Sequence, residues 1–417
     1  MESKLGVKNP QISEAIKSIA TGVKSKKSVN LEVAQKAVYA LQNEEVHPVQ
    51  KSVLFTALNI KGAIDDEKPL VDYIGAKTIA NHQLLIDTLK NKSKLTSREN
   101  DLFLKLFRQE SLSFDEAAQL GDHFFRDEHN LETKAMAATI LRMRHASAQE
   151  YAGLYKPLVT TIDAKFKSKW KSNEAVVQIA EPFDGVNRSL LLTPLIAKEI
   201  QSWGYTCVSM VGKSSGPKFE NNLMQVVKKI DEKLVGWVES SLTLENEKPL
   251  LGWYLDQSQL SAVLDFWVEL RRMMIKRPFM ATLEKYIHTF QSDIFLSSAF
   301  HGPYGVRMID IAEALGFNAA IVICKGREGS LAFSLSKPTE VYCTKRTNSG
   351  YERFEFEFSP REINVEEQGD GRIEVSPSFN AEAIQQYLND TTMPQNNADR
   401  LKVTMAGLRK AFDFVSS

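Results

Sequence analysis

The hydrophobic pattern divides the chain into a helical first part and a second part in which strands and helices alternate. Through the first 160 residues, apolar positions recur at helical spacing and glycines are few. Farther along, short apolar runs predict buried strands. The predicted strands are 176–179, 206–211 and 320–324, and the predicted helices between them are 189–201, 219–234 and 303–315. This alternation is typical of a mainly parallel sheet covered by helices, so the expected fold class is α/β.

Three later stretches complete the predicted elements. Between 255 and 290 the pattern is helical, and we expect these helices to pack against the N-terminal helical part. From 351 to 375 apolar and polar residues alternate, which predicts antiparallel edge strands. A final helical stretch, 381–416, is interrupted near Pro394.

The helical part contains a duplication. Residues 29–68 align without gaps on residues 112–151, at a constant offset of 83. Each copy predicts a helix, a short turn at 44–47 or 127–130, and a second helix. Matched pairs include Leu41 with Phe124, Leu58 with Leu141, Lys61 with Arg144 and Glu67 with Glu150. Helical segments match one another easily, but a gap-free match of this length favours a true duplication.

The segment 180–189 has the layout of a strand-to-helix phosphate loop. A buried strand before it and a predicted helix from 189 place free backbone N–H groups at a helix N-terminus, where anions are favoured. However, Pro182 has no N–H to donate, and the Phe183 side chain stands where a diphosphate would need to approach the backbone. Asp184 and Asn187 also have a simpler interpretation, as turn and N-cap residues.

Composition is that of a globular protein with a large core. The chain is 43% hydrophobic and 25% charged over 417 residues, enough for two or three compact units. It opens with no signal-peptide pattern and contains no apolar run of about 18 residues, so we expect a cytoplasmic location. Three scattered cysteines predict no disulfide framework, and the seven histidines show no metal-ligand spacing.

The formal net charge is zero, but the charge is unevenly distributed. Lys165, Lys167, Lys169 and Lys171 alternate with Phe166 and Trp170. Lysines neutralise backbone phosphates and an exposed tryptophan stacks on unpaired bases, so this segment is a candidate nucleic-acid contact. Under the alternative interpretation, the lysines form a solvated face and the two aromatic residues a buried one.

Several short segments, in order along the chain, resemble one family. They are Ile60-Lys61-Gly62, the strand and loop from Val177 to Gly185, Val211-Gly212-Lys213, Leu270-Arg271-Arg272, Arg277-Pro278-Phe279 and Lys325-Gly326-Arg327-Glu328-Gly329. Together they resemble the anthranilate phosphoribosyltransferase group, glycosyltransferase family 3, over roughly residues 112 to 410.

The resemblance implies a helical domain joined by a hinge to an α/β domain, a phosphoribosyl pyrophosphate site in the cleft, and dimerisation through helices. We therefore expect an extra helical unit at 1–110, a family-like helical domain at 111–172 joined by helices from 255–290, and an α/β domain at 173–417. Arg271 matches an arginine of the family's aromatic-acid site.

The phosphate and metal motifs of the family are altered in this chain. Glu181-Pro182-Phe183-Asp184 stands where the family has G-T-G-G-D, and Leu331 and Ala332 stand where it has a magnesium-binding acidic pair. Hydrocarbon side chains do not ligate magnesium. Val211-Gly212-Lys213 resembles the family's second phosphate loop, but most of the family's positive charge there is gone. Because metal and fixed cations supply most of the rate of such a transfer, we expect little or no conventional activity.

Three hypotheses follow. The favoured one is a non-catalytic protein that binds nucleic acid or another polyanion, as in the family's motif-depleted subgroup, and needs no cofactor. Its binding candidates are Lys165, Lys167, Lys169, Trp170, Lys171, Arg272, Lys276 and Arg277. Arg271 and Arg272 have an alternative role, flanking a helix and pairing with Glu269 or Glu284.

The second hypothesis is a transferase with a rearranged site that uses magnesium and phosphoribosyl pyrophosphate. Its phosphate- or substrate-binding candidates are Asp184, Gly185, Asn187, Arg188, Ser189, Gly212, Lys213 and Arg271, and the catalytic residues stay unassigned. The third is a protein-docking role for the duplicated helical unit.

Overall fold

The computed structural model describes residues 4–25, 27–167, 174–216, 218–219, 221–240, 247–287 and 292–417. The chain forms two compact units. The first, the helical unit, comprises residues 1–161 and 263–283, and the second, the α/β unit, comprises 162–262 and 284–417.

The helices are numbered in chain order across both units. They are α1 Pro10–Ile19, α2 Leu31–Asn43, α3 Pro48–Lys61, α4 Lys68–Ile74, α5 Ala76–Ala80, α6 His82–Leu89, α7 Ser97–Phe107, α8 Phe114–Phe125, α9 Leu131–Arg144, α10 Ala148–Thr160, α11 Thr193–Ser202, α12 Leu223–Val227, α13 Gln257–Leu260, α14 Ala262–Met274, α15 Met280–Leu283, α16 Pro303–Ala314, α17 Pro377–Asp390 and α18 Asn397–Val415. Side-chain caps fix many of the starts: Asn30 accepts the Val33 N–H before α2, and Ser113 accepts the Glu116 N–H before α8.

The duplicated sequence forms duplicated structure in the helical unit. Helices α2 and α3 correspond to α8 and α9, with the turns between them where the pattern predicts turns. A buried carboxylate carries the correspondence further. Glu67 accepts the Val29 N–H at 2.9 Å, and Glu150 accepts the Leu112 N–H at 2.9 Å. The second oxygen of each carboxylate accepts another backbone N–H, at 3.1 and 2.7 Å, from residues again 83 apart.

Helices α14 and α15 belong to the helical unit, although they lie far along the chain. Trp267 of α14 packs edge-on against Phe124 of α8, with ring centroids 5.4 Å apart, and Phe279 stacks on Phe124 at 4.9 Å. Aromatic pairs in these geometries stabilise a core beyond the area that they bury. These contacts fix the second segment of the helical unit to the first.

The α/β unit is built on a mixed sheet. Its strands are β1 Val176–Ala180, β2 Thr206–Val211, β3 Gly236–Trp237, β4 Trp253–Asp256, β5 Ile294–Ala299, β6 Ala319–Cys324, β7 Thr339–Thr347 and β8 Gly350–Phe358. The order is β3-β4-β2-β1-β5-β6-β7-β8, in which β7 pairs antiparallel with both β6 and β8 and all the other neighbouring pairs are parallel. Strands β1, β2, β5 and β6 are buried throughout, as expected when helices cover both faces. The α/β fold class is therefore confirmed.

Several predicted element bounds need correction. The helix predicted from 189 begins at Thr193, because the apolar residues 190–192 are buried in a loop and Pro194 favours the first turn. The helix predicted at 219–234 is only the short α12. The stretch predicted as helical from 255 begins inside β4. Edge strand β8 ends at Phe358, well before the predicted limit of 375.

Within the described ranges, no helix combines the length and the apolar character needed to cross a membrane.

Candidate anion site and basic patch

The candidate phosphate loop follows β1 and runs from residue 181 to 192 before α11 begins. The N–H groups of 187–189 therefore lie in the loop itself, and the predicted position at a helix N-terminus is wrong. Backbone N–H groups of a loop nevertheless bind anions when several of them point to one place. The side chains of Asn187 and Arg188 are exposed, and that of Ser189 is buried.

The anion bound by this loop is the protein's own Glu328 carboxylate. Its Oε2 accepts the Arg188 N–H at 2.9 Å and the Ser189 hydroxyl at 2.7 Å. Its Oε1 accepts the Asn187 N–H at 3.2 Å and the Lys218 ammonium at 2.9 Å. Each carboxylate oxygen thus has two donors. We call these four donors, from Asn187, Arg188, Ser189 and Lys218, the anion site.

Glu328 lies in the turn Arg327–Gly329 after β6. Burial raises the pKa of Glu328, but the bonds from Ser189, Lys218 and the loop N–H groups outweigh burial and hold the pKa below its ordinary value. The backbone of Glu328 has φ 52° and ψ 19°, the left-handed region that disfavours a residue with a Cβ. The ionised carboxylate therefore stays in the anion site despite an unfavourable backbone conformation.

Two glycines of the predicted phosphate loops have other parts of the chain packed closely against them. A Cβ at Gly185 would lie 2.4 Å from the Asn221 carbonyl oxygen, so the 221 backbone takes the space beside the first loop. A Cβ at Gly212 would lie 2.9 Å from the Phe183 ring. The Phe183 side chain is therefore buried against Gly212, in the second of the two predicted phosphate loops.

Glu181 and the residues at the family's metal position have structural partners. Glu181 is buried, and it accepts the Thr193 hydroxyl and the Leu331 N–H, the latter at 2.7 Å. Burial raises the pKa of Glu181. The Leu331 and Ala332 side chains are also buried. Among the residues that the structure describes, no group of three histidine, cysteine, aspartate or glutamate side chains is placed to hold a metal ion.

The other predicted phosphate-site residues divide between the two units. Asp184 and Lys213 are half-buried in the α/β unit. Arg271 lies in α14 of the helical unit and is 2% exposed.

Arg272 does not lie on the surface. It is 7% exposed, and its Nη1 lies 2.7 Å from the Glu269 Oε1, a carboxylate that also accepts the Lys4 N–H. A buried guanidinium paired in this way cannot reach a polyanion without losing its partner. Arg272 is therefore removed from the predicted nucleic-acid contacts, and the pairing with Glu269 is the alternative role that the sequence left open.

Lys276 and Arg277 lie in a cluster of positive charge within the helical unit. Burial, followed by the charges of Arg142, Lys27, Lys17 and Arg277, lowers the pKa of Lys276 to about 8. The Lys276 ammonium donates to the Lys17 carbonyl oxygen at 2.6 Å, and Arg142 Nε donates to the Arg277 carbonyl oxygen at 2.9 Å. Lys17, Lys27 and Arg277 are exposed. We call these five residues the basic patch.

The lysine-rich segment is described only as far as residue 167. Lys165 and Lys167 are exposed and Phe166 is fully buried, within a 3-10 turn. Lys169, Trp170 and Lys171 lie outside the described residues.

Sequence reasoning did not predict Glu328 in the anion site, nor Lys17, Lys27 and Arg142 in the basic patch. Glu328 was placed only in a turn that resembles a family motif. Lys17, Lys27 and Arg142 are more than a hundred residues from Lys276 and share no local motif with it. A clue to Glu328 was present: an acidic residue stands between glycines in a turn that resembles a family motif.

Solved anthranilate phosphoribosyltransferases share this fold. The protein from Thermus thermophilus aligns with a TM-score of 0.58 and 15% identity, over 75% of this chain and 90% of its own. The Saccharomyces cerevisiae protein in complex with PRPP and Mg aligns with a TM-score of 0.52 and 12% identity, over 92% of this chain and 89% of its own. At these identities the likeness establishes the fold alone.

Sequence comparison adds little about function. No protein-family model matches the chain. An uncharacterized protein of Aquifex aeolicus (strain VF5) is 23% identical over 203 residues, which cover 49% of this chain and 59% of that protein. The chain thus spans less than two thirds of that relative's length.

Proposed function

We propose that this phosphoribosyltransferase-like protein has degenerate phosphate and magnesium motifs, is non-catalytic, and binds nucleic acid or another polyanion. The proposal rests on two features that occur in the same chain: an anion site occupied by Glu328, and a basic patch elsewhere. The first removes the place where a diphosphate would bind. The second offers a place where a polyanion would bind.

The phosphate loops support the loss of transfer chemistry. Diphosphate departure needs fixed cations or a metal at the leaving group. Here Glu328 puts a negative charge on the loop N–H groups, so a diphosphate would meet repulsion there. Phe183 covers Gly212, and the side chains of Leu331 and Ala332 provide no oxygen ligand.

The basic patch supports binding of a polyanion. Burial disfavours the charged form of Lys276, and the neighbouring positive charges add to that cost. A phosphate backbone over the patch would lower that repulsion and release counterions. Such binding depends on charge and little on sequence, so both DNA and RNA are suitable ligands.

Fluorescence anisotropy with labelled single-stranded and double-stranded DNA and RNA, at increasing salt, tests this proposal. We expect binding at low salt and a linear fall of log affinity with log salt. The Lys17→Glu/Lys27→Glu variant should bind at least tenfold more weakly. The matched control is Lys77→Glu/Lys92→Glu, which changes two exposed lysines elsewhere in the helical unit and alters net charge equally.

A Lys165→Glu/Lys167→Glu variant separately tests the lysine-rich segment. Absence of binding to all four nucleic acids at low salt contradicts the proposal. Equal loss of affinity in the control and in the Lys17→Glu/Lys27→Glu variant contradicts the assignment to the basic patch.

The fold itself favours the alternative, an active transferase with a rearranged site. A protein of the same fold is solved with PRPP and Mg. In this chain the family's phosphate-binding groups would have to be replaced by Asp184, Asn187, Arg188 and Lys213. Magnesium would need ligands other than the side chains of Leu331 and Ala332. Magnesium-dependent uptake of phosphoribosyl pyrophosphate separates this alternative from the non-catalytic protein.

We also infer, from the resemblance, a homodimer formed through the helical unit and a cytoplasmic location. Light scattering that gives the mass of a single 47.0 kDa chain at micromolar concentration contradicts the dimer.

A further inference from the structure

The anion site holds Glu328 as it would hold an oxyanion from solution. Two backbone N–H groups, a hydroxyl and an ammonium converge on two oxygens of one carboxylate, at 2.7 to 3.2 Å. Tetrahedral oxyanions such as phosphate present oxygens with a similar separation. Backbone N–H groups with a nearby lysine are a common way in which proteins bind phosphate.

The site is accessible from one side. Asn187 and Arg188 are exposed, and the Lys218 side chain is 27% exposed. Ser189 is buried, so its hydroxyl depends on the carboxylate for its hydrogen bond. Without Glu328, four donors aimed at one point would lose the partner that this carboxylate provides.

The turn that carries Glu328 has an unfavourable backbone conformation at the carboxylate residue itself. Glu328 has a positive φ, which costs a residue with a Cβ, and the next residue, Gly329, has φ 83°. Gly326 precedes the turn. The contacts of the carboxylate therefore act against a backbone preference, and their loss would remove what offsets that preference.

We propose that Glu328 is an internal anion that closes an oxyanion-binding site, and that inorganic phosphate or a phosphate ester binds the four donors only when the Glu328 carboxylate withdraws. The turn Arg327–Gly329 then acts as an autoinhibitory element. This inference concerns the α/β unit and does not depend on polyanion binding by the basic patch.

Calorimetric titration with inorganic phosphate at pH 7 tests the proposal. The unaltered protein is compared with Glu328→Gln and Glu328→Ala, whose folding is checked by thermal unfolding. We expect both variants to bind phosphate at least tenfold more tightly than the unaltered protein. Adding Lys218→Ala to Glu328→Ala should reverse most of the gain, because the ammonium is one of the four donors.

The matched control is Glu340→Gln. Glu340 is also a largely buried carboxylate paired with a lysine, Lys325, but it does not contact the loop N–H groups. Its substitution should leave phosphate affinity unchanged. Unchanged affinity in both Glu328 variants, or an equal gain in the control, overturns the proposal.

A measurement without substitutions gives a second test. In the unaltered protein, the amide resonances of Asn187 and Arg188 should stay unmoved in millimolar phosphate, and movement of both contradicts a closed site. Nucleic-acid affinity should be the same in the Glu328 variants as in the unaltered protein. The two proposals can therefore fail independently.

Discussion

At the residue scale, carboxylates that accept hydrogen bonds from backbone N–H groups recur in this chain. Glu150 and Glu67 do so in the helical unit, and Glu328 does so in the α/β unit. Glu67 and Glu150 each fix the backbone just before the first helix of their copy of the duplication. Glu328 instead occupies donors of a loop whose layout predicts a phosphate. The same local chemistry thus has a structural role in one unit and an inhibitory role in the other.

Glu150 gives a stability prediction. Burial raises the pKa of Glu150, but the bonds from Arg144 and the Leu112 and Ser147 N–H groups outweigh burial and lower the pKa. Because Glu150 is fully buried and paired, Glu150→Gln should lower the free energy of unfolding at pH 7 by roughly 2 to 4 kcal/mol. Urea unfolding measures the loss, and the exposed Glu45→Gln is the control.

The sign of the pH dependence follows from the lowered pKa. The contribution of Glu150 is complete above its ordinary pKa, about 4.3, and disappears as the pH falls through the lower folded value. The difference in stability between the unaltered protein and Glu150→Gln should therefore shrink below pH 4. A difference that grows in acid contradicts this account of Glu150.

At the element scale, glycines set how closely helices pack. Helices α8 and α10 approach through Gly153, where a Cβ would lie 2.3 Å from the Phe114 carbonyl oxygen and 2.7 Å from the Ala117 Cβ. On the α8 side, a Cβ at Gly121 would lie 2.4 Å from Pro157. The helix pair is therefore specified by small residues at the contact, which a hydrophobic pattern does not reveal.

Gly153→Ala tests this packing. In an exposed helix the change would stabilise by up to about 1 kcal/mol, but here the added methyl group would overlap backbone and side-chain atoms of α8. We expect a loss of about 1 to 3 kcal/mol in the free energy of unfolding. The control is Gly369→Ala, where a Cβ meets nothing within 4 Å, and unfolding should be nearly unchanged. A Gly153→Ala variant that is more stable than the unaltered protein would contradict the close packing of α8 against α10 at this position.

At the scale of the whole molecule, periodicity predicted the fold better than it predicted the sites. Strands β1, β2 and β6 were predicted because they are short, apolar and flanked by turns. Strands β3, β4, β5 and β7 lie outside the predicted strands. In the case of β5, a short apolar run beside a helical stretch is ambiguous. The two helices of each repeat copy agree with their predicted positions, because a long periodic apolar face is a strong signal for a helix.

The sites depend on contacts between residues far apart in the chain. The distance in sequence from Arg188 to Glu328 is 140 residues, and that from Lys17 to Lys276 is 259. A sequence motif predicts a loop, but the partner of that loop is set by the sheet topology. The altered family motifs indicated a changed site, and the structure supplies the carboxylate that fills it.

The central claim, that the phosphate loops no longer take a diphosphate, is tested most directly by calorimetric titration of the unaltered protein with phosphoribosyl pyrophosphate, with and without magnesium. We predict no saturable heat at millimolar ligand under either condition, because Glu328 and Phe183 occupy the loops. Saturable binding at micromolar concentration that requires magnesium would contradict the account and establish the transferase alternative.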